Sequence, residues 1–361
     1  MKRVPVSGLT PGMVTAEDVY SYDQQLIVPA GVILTSTIIN RLEFYSIFSL
    51  KIDDSQPQQA EDTIRILKEA GSPDSAIKNS PEFKRFKADY EKHLGNFHIT
   101  LNDMVDRSTT VNTSGILMNT VKLLYQDGRR LNVFDMLLNM QGYDDSTYTH
   151  SINVSLISYV LAGWLGFSEA EQMMAASCGL FHDIGKLTIP SEIILKPARL
   201  TSEEFEVVKT HTLKGYEILN DYSLNKHILN ATLLHHEKCD GSGYPYGLMG
   251  QDIDKFSKIV TIADIFDAMT SDRCYRKAMC PFDVIESFEK DGLQKYETRY
   301  ILTFLENITN SYLNHKVKLS NGMEGDVIFI NKSNLARPMI KSEGGFIDLS
   351  QQSGIKIDEI Y

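Results

Sequence analysis

The sequence is poor in cysteine, in tryptophan and in long uncharged runs, and it has no excess of positive charge. Four cysteines (Cys178, Cys239, Cys274 and Cys280) in 361 residues, none in a CxxC pair, give no framework for disulfides or a thiolate zinc site. No secretory signal follows Met1-Lys2-Arg3, so a reducing, cytoplasmic location is expected. Asp and Glu outnumber Lys and Arg by 47 to 36, a net charge of −11, which argues against a surface that tracks nucleic-acid phosphates. A small phosphate ligand is still allowed, because a bound cation reverses the local field. The longest uncharged stretch, Ser151 to Ser168, approaches membrane-span length. Its serines, its two glycines and Asn153 make it a buried core helix instead, and no membrane span is expected.

What is present is ordinary globular composition, 42% hydrophobic and 23% charged, in a chain long enough for two or three domains. Residues 1–53 read as short strands and turns, with Pro11-Gly12 and Pro29-Ala30-Gly31 punctuating runs such as Leu26-Ile27-Val28. A short helix is expected from about Ser36, with Ile38, Ile39, Leu42 and Tyr45 on one face. The polar run Asp53 to Gln59 reads as a linker. Residues 61–140 turn helical, with Phe83, Phe86, Tyr90 and Leu94 in one stripe and Leu131, Phe134 and Leu138 in another. Such a stripe serves intramolecular packing or, alternatively, the contact of a homodimer. Residues 141–312 read as helical throughout. From Val317 the pattern becomes β, with a hairpin turn at Asn321-Gly322, a strand over Val327–Ile330 and further strands over 337–341 and 346–349. The expected fold is multi-domain and mainly α: a β-rich accessory region (1–53), a linker and helical region (54–140), an all-α domain (141–312) and a small C-terminal β unit (313–361).

The unusual chemistry lies in the all-α segment. Six of nine histidines fall between positions 150 and 236: His150, His182, His211, His227, His235 and His236. His182 is followed by Asp183 at the end of an apolar helix, and His235-His236 end another. Asp264 sits inside the apolar run Ile259 to Phe266, where a carboxylate is costly unless something positive compensates it. Imidazole with carboxylate suits Fe, Mn, Zn or Ni better than Ca or Mg. Seven groups (His150, His182, Asp183, His211, His235, His236 and Asp264) exceed the shell of one ion, and two ions sharing a bridging carboxylate fit them. Two divalent ions, two aspartates and a bridging hydroxide sum to a net positive charge, the right sign for a phosphodiester.

Five motifs in order, Tyr148-Thr149-His150-Ser151, His182-Asp183-Ile184-Gly185-Lys186, Lys209-Thr210-His211 with Gly215, His235-His236-Glu237-Lys238-Cys239-Asp240-Gly241-Ser242-Gly243-Tyr244-Pro245 and Ala263-Asp264 through Arg273, resemble the HD-GYP family of HD-domain metal phosphohydrolases. The resemblance runs from about Tyr148 to Phe288. It implies an all-α domain that hydrolyses cyclic di-GMP to linear pGpG by attack of a metal-bridging hydroxide. It further implies that His150, His182, Asp183 and Asp264 hold one metal and that His211, His235 and His236 hold the other, with Asp183 bridging. Iron is the first expectation for both ions and manganese the next. Lys186, one turn beyond His182 if that helix continues, would contact the scissile phosphate, and Asp267 would orient a histidine or the water. Asp240, Gly243, Tyr244 and Pro245 would form a substrate-facing loop, and Arg273 and Arg276 would face the ligand phosphates. Family members with a third metal carry Glu where this chain has Ser146, so two metals are expected. Thr212 and Cys274 stand where Pro is frequent, and Cys239 reads as a bystander thiol. Two other readings stay open: a non-catalytic cyclic di-GMP receptor, and a phosphodiesterase for a related ring such as mixed GMP-AMP.

Overall fold

The structure, a computed structural model, describes residues 2–20, 26–28, 30–34, 38–39, 42, 47, 49–53, 77–107, 111–140, 147–272 and 277–361. They group into two compact units, Asn79–Ser311 and a second made of Met1–Lys78 with Tyr312–Tyr361. The segment after Asp53 read as a linker, and Tyr45 of the short helix, lie outside the described residues; Ile38, Ile39 and Leu42 of that helix are helical.

In the helical unit, α1 (Pro81–Val105) starts at Ser80, whose hydroxyl accepts from the Phe83 amide, with Pro81 in the first turn. It buries Phe83, Phe86 and Tyr90 of the expected stripe with Phe97, Leu101 and Met104, while Leu94 is only half-buried, so most of the stripe packs within the chain. After α2 (Thr113–Lys122) comes a hairpin, β5 (Tyr125–Gln126) with β6 (Arg129–Arg130), before α3 (Val133–Asn139). The described part of residues 61–140, read as helical, is interrupted by this hairpin. Asp127 and Gly128, at φ 49° and 75°, form the left-handed pair that a tight hairpin turn requires.

The 18-residue uncharged run forms most of α4 (Thr147–Trp164), buried from His150 to Ala162. Among the described residues no helix is long and apolar enough to cross a membrane. Helix α4 stops where Gly166 takes φ 79° and the amides of Gly166 and Phe167 bond back to Gly163 and Ala162. Ser168 then opens α5 (Glu169–Phe181) with a reciprocal capping box to Glu171. The two helices approach so closely that a Cβ on Gly179 would stand 2.9 Å from the Ser155 Cα. Behind α5 a 3-10 turn (Ile184–Thr188) leads on to α6 (Ser202–Lys209), α7 (His211–Asn220) and α8 (Lys226–Leu234). Helix α9 (Lys255–Thr270) packs on α4, α5 and α8 and closes the bundle, followed by α10 (Pro281–Ser287) and α11 (Thr298–Ser311). Each fully buried Leu, Ile or Phe in these helices contributes roughly 1.5–3 kcal/mol. That surplus lets the bundle tolerate the polar groups described below.

The other unit is β-rich at both ends of the chain. β1 (Lys2–Pro5) pairs with β4 (Ser49–Ile52) and β2 (Val19–Tyr20) with β3 (Leu26–Val28), over a core that includes Val6, Val28, Leu34, Leu42 and Leu50. At the C-terminus β7 (Lys316–Leu319), β8 (Glu324–Phe329), β9 (Met339–Ser342) and β10 (Gly345–Asp348) form an antiparallel meander. The expected turn is present, with Gly322 at φ 83° and Asn321 accepting from the Met323 amide. A strand the sequence reading lacked, β11 (Ile357–Ile360), returns to pair with β7, giving the order β10-β9-β8-β7-β11.

Candidate metal centre

Helix ends and one buried helix middle deliver the donors. His182 caps α5, His211 opens α7, His235 caps α8, His150 lies in the first turn of α4 and Asp264 in the interior of α9. His182, Asp183, His211 and His235 are fully buried. The donor atoms fall into two groups, Asp183 with His211, His235 and His236, and His150 with His182 and Asp264.

The ring orientations follow from what each Nδ1 faces. His182 Nδ1 is 2.7 Å from the Gly179 carbonyl, His211 Nδ1 2.7 Å from the Val208 carbonyl and His235 Nδ1 3.0 Å from the carbonyls of Ala231 and Thr232. A carbonyl only accepts, so each Nδ1 carries the proton and each neutral ring presents an Nε2 lone pair. Those lone pairs converge. His211 Nε2 and His235 Nε2 are 3.3 Å apart, with Asp183 Oδ1 at 3.3 Å and 3.6 Å from them. On the other side His182 Nε2 lies 3.3 Å and His150 Nε2 3.6 Å from Asp183 Oδ2. His182 Nε2 and Asp183 Oδ1 are buried and have no hydrogen-bond partner. On the Oδ1 side, with the His211 and His235 lone pairs aimed at it, acceptors face acceptors, and in a dry interior these repel unless a cation lies between them. Nitrogen and carboxylate donors in this arrangement could hold divalent metal. The two oxygens of Asp183 each face a different histidine group, which is what a bridging ligand requires.

Charges around the cluster support ionised carboxylates and mostly neutral rings. Burial opposes the charge on Asp183, but His182 and Lys186 outweigh it and hold the carboxyl well below its usual range. Asp264 behaves likewise, burial being overridden by the hydrogen bond from His150 and by His236. Burial lowers the basicity of His211, His235 and, most strongly, His236. His150 is the exception: burial works against its charged form, yet hydrogen bonds to Asp264 and Asp267 raise it to about 9.

The remaining residues singled out from the sequence are placed as follows. Helix α5 ends before His182, so Lys186 lies on the 3-10 turn rather than one α-turn on; its Nζ is 2.5 Å from Asp183 Oδ2. Asp267 Oδ2 is 2.7 Å from His150 Nδ1, on the side of the ring away from Asp264. Tyr244 stacks on His236 at 4.7 Å and 27°, with Phe205 edge-on at 6.2 Å and Lys209 Nζ 5.8 Å from the ring centre. Burial and the nearby charges of Asp264 and Asp183 keep its phenol protonated. Gly243 lies where a Cβ would collide with the backbone of His236 and Glu237, and the Tyr244–Pro245 peptide is cis. Asp240 is exposed and accepts from Ser242 N and Oγ within the loop, apart from the grouped donors. His227 bonds Asp254 at 2.6 Å, outside the cluster. Arg273 and Arg276, with Ser146 and Cys274, lie outside the described residues.

Sequence reasoning missed three residues. Glu237 is buried, and its carboxylate accepts from the amides of Tyr246 and Gly247 on Oε1 and of Leu248 on Oε2, clamping the loop that carries Tyr244. Its signal was a carboxylate between two histidines and a glycine-rich loop with spare amides. Asn153 donates to Asp267 Oδ1 at 2.9 Å; its signal was an amide three residues beyond His150 in an apolar helix. Tyr90, which bonds Asn153 at 2.7 Å, had no local signal.

Fold and donor set together define a helical bundle around paired His and Asp groups. The family profile described as "HD domain" matches residues 114–299, just over half of the chain. The chain belongs to the HD domain family, and its His182-Asp183 pair with the His235 to Pro245 loop makes it a member of the HD-GYP type. It is 31% identical over 215 residues to cyclic di-GMP phosphodiesterase PA4108 of Pseudomonas aeruginosa, covering 59% of this chain and 51% of that one. It is 39% identical over 150 residues to 3'3'-cGAMP-specific phosphodiesterase 3 of Vibrio cholerae, covering 41% and 32%. The chain thus spans about half the length, or less, of these relatives. Among solved structures, Bd1817, an HDG"Y"P protein of Bdellovibrio bacteriovorus, superposes with a TM-score of 0.53 at 16% identity, over 85% of this chain and 99% of that one, a likeness of fold.

Proposed function

We propose that the chain is a metal-dependent phosphodiesterase that opens cyclic di-GMP to linear pGpG and works with two divalent cations, iron first and manganese next. The observation that carries this reading is Asp183, whose two oxygens face separate histidine groups with no proton donor for Oδ1. His150, His182, Asp183 and Asp264 would hold one ion, and His211, His235 and His236 with Asp183 the other. Bound there, divalent ions supply Lewis acidity toward a phosphate and acidify water into a nucleophile at neutral pH. The chain's own residues do the rest. Lys186, anchored on Asp183, presents a positive charge at the rim for the scissile phosphate. Asp267 keeps a proton on His150 Nδ1, so that Nε2, which donates to Asp264 Oδ1 here, is the nitrogen that would give up its proton and turn a lone pair to the ion. Glu237 fixes the loop so that Tyr244, braced by His236 and Phe205, offers an aromatic face and a protonated phenol to a base. Asp240 and Pro245 shape that loop, Gly243 lets it approach, and Arg273 and Arg276 would meet the ligand phosphates.

The names of relatives in Pseudomonas aeruginosa and Vibrio cholerae support cyclic dinucleotides as the substrate class, and the second keeps the mixed GMP-AMP ring as the alternative substrate. A cytoplasmic location, the four-segment domain division and a homodimer belong to the same proposal; Ile99 and Met118, exposed on α1 and α2, offer apolar surface for the dimer contact. The test is timed product analysis with each ring, using protein fully loaded with Fe or Mn. Accumulation of pGpG, lost in a His235→Ala/His236→Ala variant, is expected. Tight binding without turnover would leave the receptor reading, and faster turnover of the mixed ring would reassign the substrate.

A further inference from the structure

Helix α1 lies outside the motifs that mark the site, yet it reaches into it. It packs against α4, against the 3-10 turn that carries Lys186 and against α7, which carries His211. From its buried face Tyr90 sends its hydroxyl to Asn153 Oδ1 at 2.7 Å, with the Thr149 carbonyl at 3.2 Å. Asn153 Nδ2 donates to Asp267 Oδ1 at 2.9 Å, and Asp267 Oδ2 accepts from His150 Nδ1 at 2.7 Å. The four side chains form one buried relay from a helix outside the site to a candidate ligand.

The directions in this relay are forced. A carboxylate only accepts, so the asparagine must turn Nδ2 toward Asp267 and its Oδ1 away. That Oδ1, in an apolar helix bundle, then needs a donor, and Tyr90 supplies one. With Asn153 locked on one carboxylate oxygen of Asp267, the other is aimed at His150, which fixes the ring plane and holds a proton on Nδ1. We infer that Tyr90 is a positioning residue for the metal held by His150, acting through Asn153 and Asp267, and that α1 is therefore part of the metal centre's support. The inference rests on the two-metal reading above. It concerns one of the two donor groups, because the relay ends on His150 and touches none of His211, His235 or His236.

The test is Mn²⁺ titration of the metal-stripped full chain against a chelating dye, with thermal unfolding of the same metal-free samples. Wild-type protein should show two binding events. Tyr90→Phe should weaken one of them by about tenfold, the low end for outer partners of metal ligands, and leave the other unchanged. Asn153→Leu should weaken the same event further. Phe97→Leu, on the same buried face of α1 but outside the relay, controls for loosened packing and should leave both events in place even if the melting temperature falls. Two unchanged events in Tyr90→Phe, or both weakened in step with a lower metal-free melting temperature, would overturn the inference while the metal reading stands. A wild-type chain that binds no Mn²⁺ would overturn the metal reading itself, and the inference with it.

Discussion

The two units bury very different interiors. Among the described residues of the β-rich unit the buried polar side chains are Thr15 and Ser342, and the rest of its core is apolar. The helical unit buries His93, His150, His182, Asp183, His211, His235, Glu237, Asp264 and Asp267. Folding does not call for this: the described residues of the β-rich unit close a core without a buried histidine or carboxylate. Buried charge is costly wherever it is left uncompensated. Its concentration in one unit, on converging helix ends, therefore marks where the chain gives up stability for chemistry.

Substitutions can break that contrast from either side. The largest effect is expected at Asp183. Asp183→Asn removes the shared carboxylate and should abolish stable retention of metal at both groups, with hydrolysis falling on the order of 10³-fold or more. Metal-free Asp183→Asn should melt no lower than the wild type, because an uncompensated buried charge has gone; metal content and calorimetry together check this. In the β-rich unit the pattern should invert. Ile340→Ala, at a position 0% exposed, should cost roughly 2–5 kcal/mol of stability and leave metal content per folded chain unchanged. Glu237→Gln keeps the size but removes one accepting oxygen from the loop clamp. A decrease of about 10- to 100-fold in kcat/KM is expected, with metal content retained and faster proteolysis within the loop.

An effect confined to acid pH is expected at His93, away from the candidate metal groups. Burial lowers this imidazole from 6.5 to about 4, and its Nε2 bonds the Thr120 hydroxyl at 2.7 Å. Between those values the unfolded chain takes up a proton that the folded chain refuses. Stability contributed by the neutral ring is therefore complete above 6.5 and declines as pH falls toward 4. The slope should approach about 1.4 kcal/mol per pH unit within that window. His93→Gln, which keeps a donor for Thr120, should flatten that part of the curve in chemical denaturation at stepped pH.

Much of the site was legible because it is local in sequence. His182-Asp183, His235-His236 and a lone Asp264 in an apolar run announce themselves as groups too polar for where they lie. The uncharged run to Ser168 was read as one buried helix; Gly166, stopping α4, and Ser168 with Glu171, starting α5, divide it in the structure. What escaped depends on partners far along the chain. Tyr90 is 63 residues from Asn153, and nothing near it in sequence tells its hydroxyl from any other buried tyrosine. β11 is a four-residue strand whose pairing with β7 spans most of the C-terminal unit. The 3-10 turn at Ile184–Thr188 was hidden by an apolar pattern that also fits a continuing α-helix, although a Cβ on Gly185 would collide with the His211 carbonyl. That glycine, with Gly215 against it, is a local trace of the close crossing that brings His211 beside Asp183.

The central claim is that the convergent acceptors around Asp183 are a metal centre. Anaerobic purification followed by metal analysis per chain tests it most directly, with wild-type protein and the His235→Ala/His236→Ala variant measured side by side. About two iron or manganese ions per wild-type chain, with the variant losing at least the one that His211, His235 and His236 would hold, is the predicted result. A wild-type chain that carries no metal and takes up none on anaerobic reconstitution would contradict it.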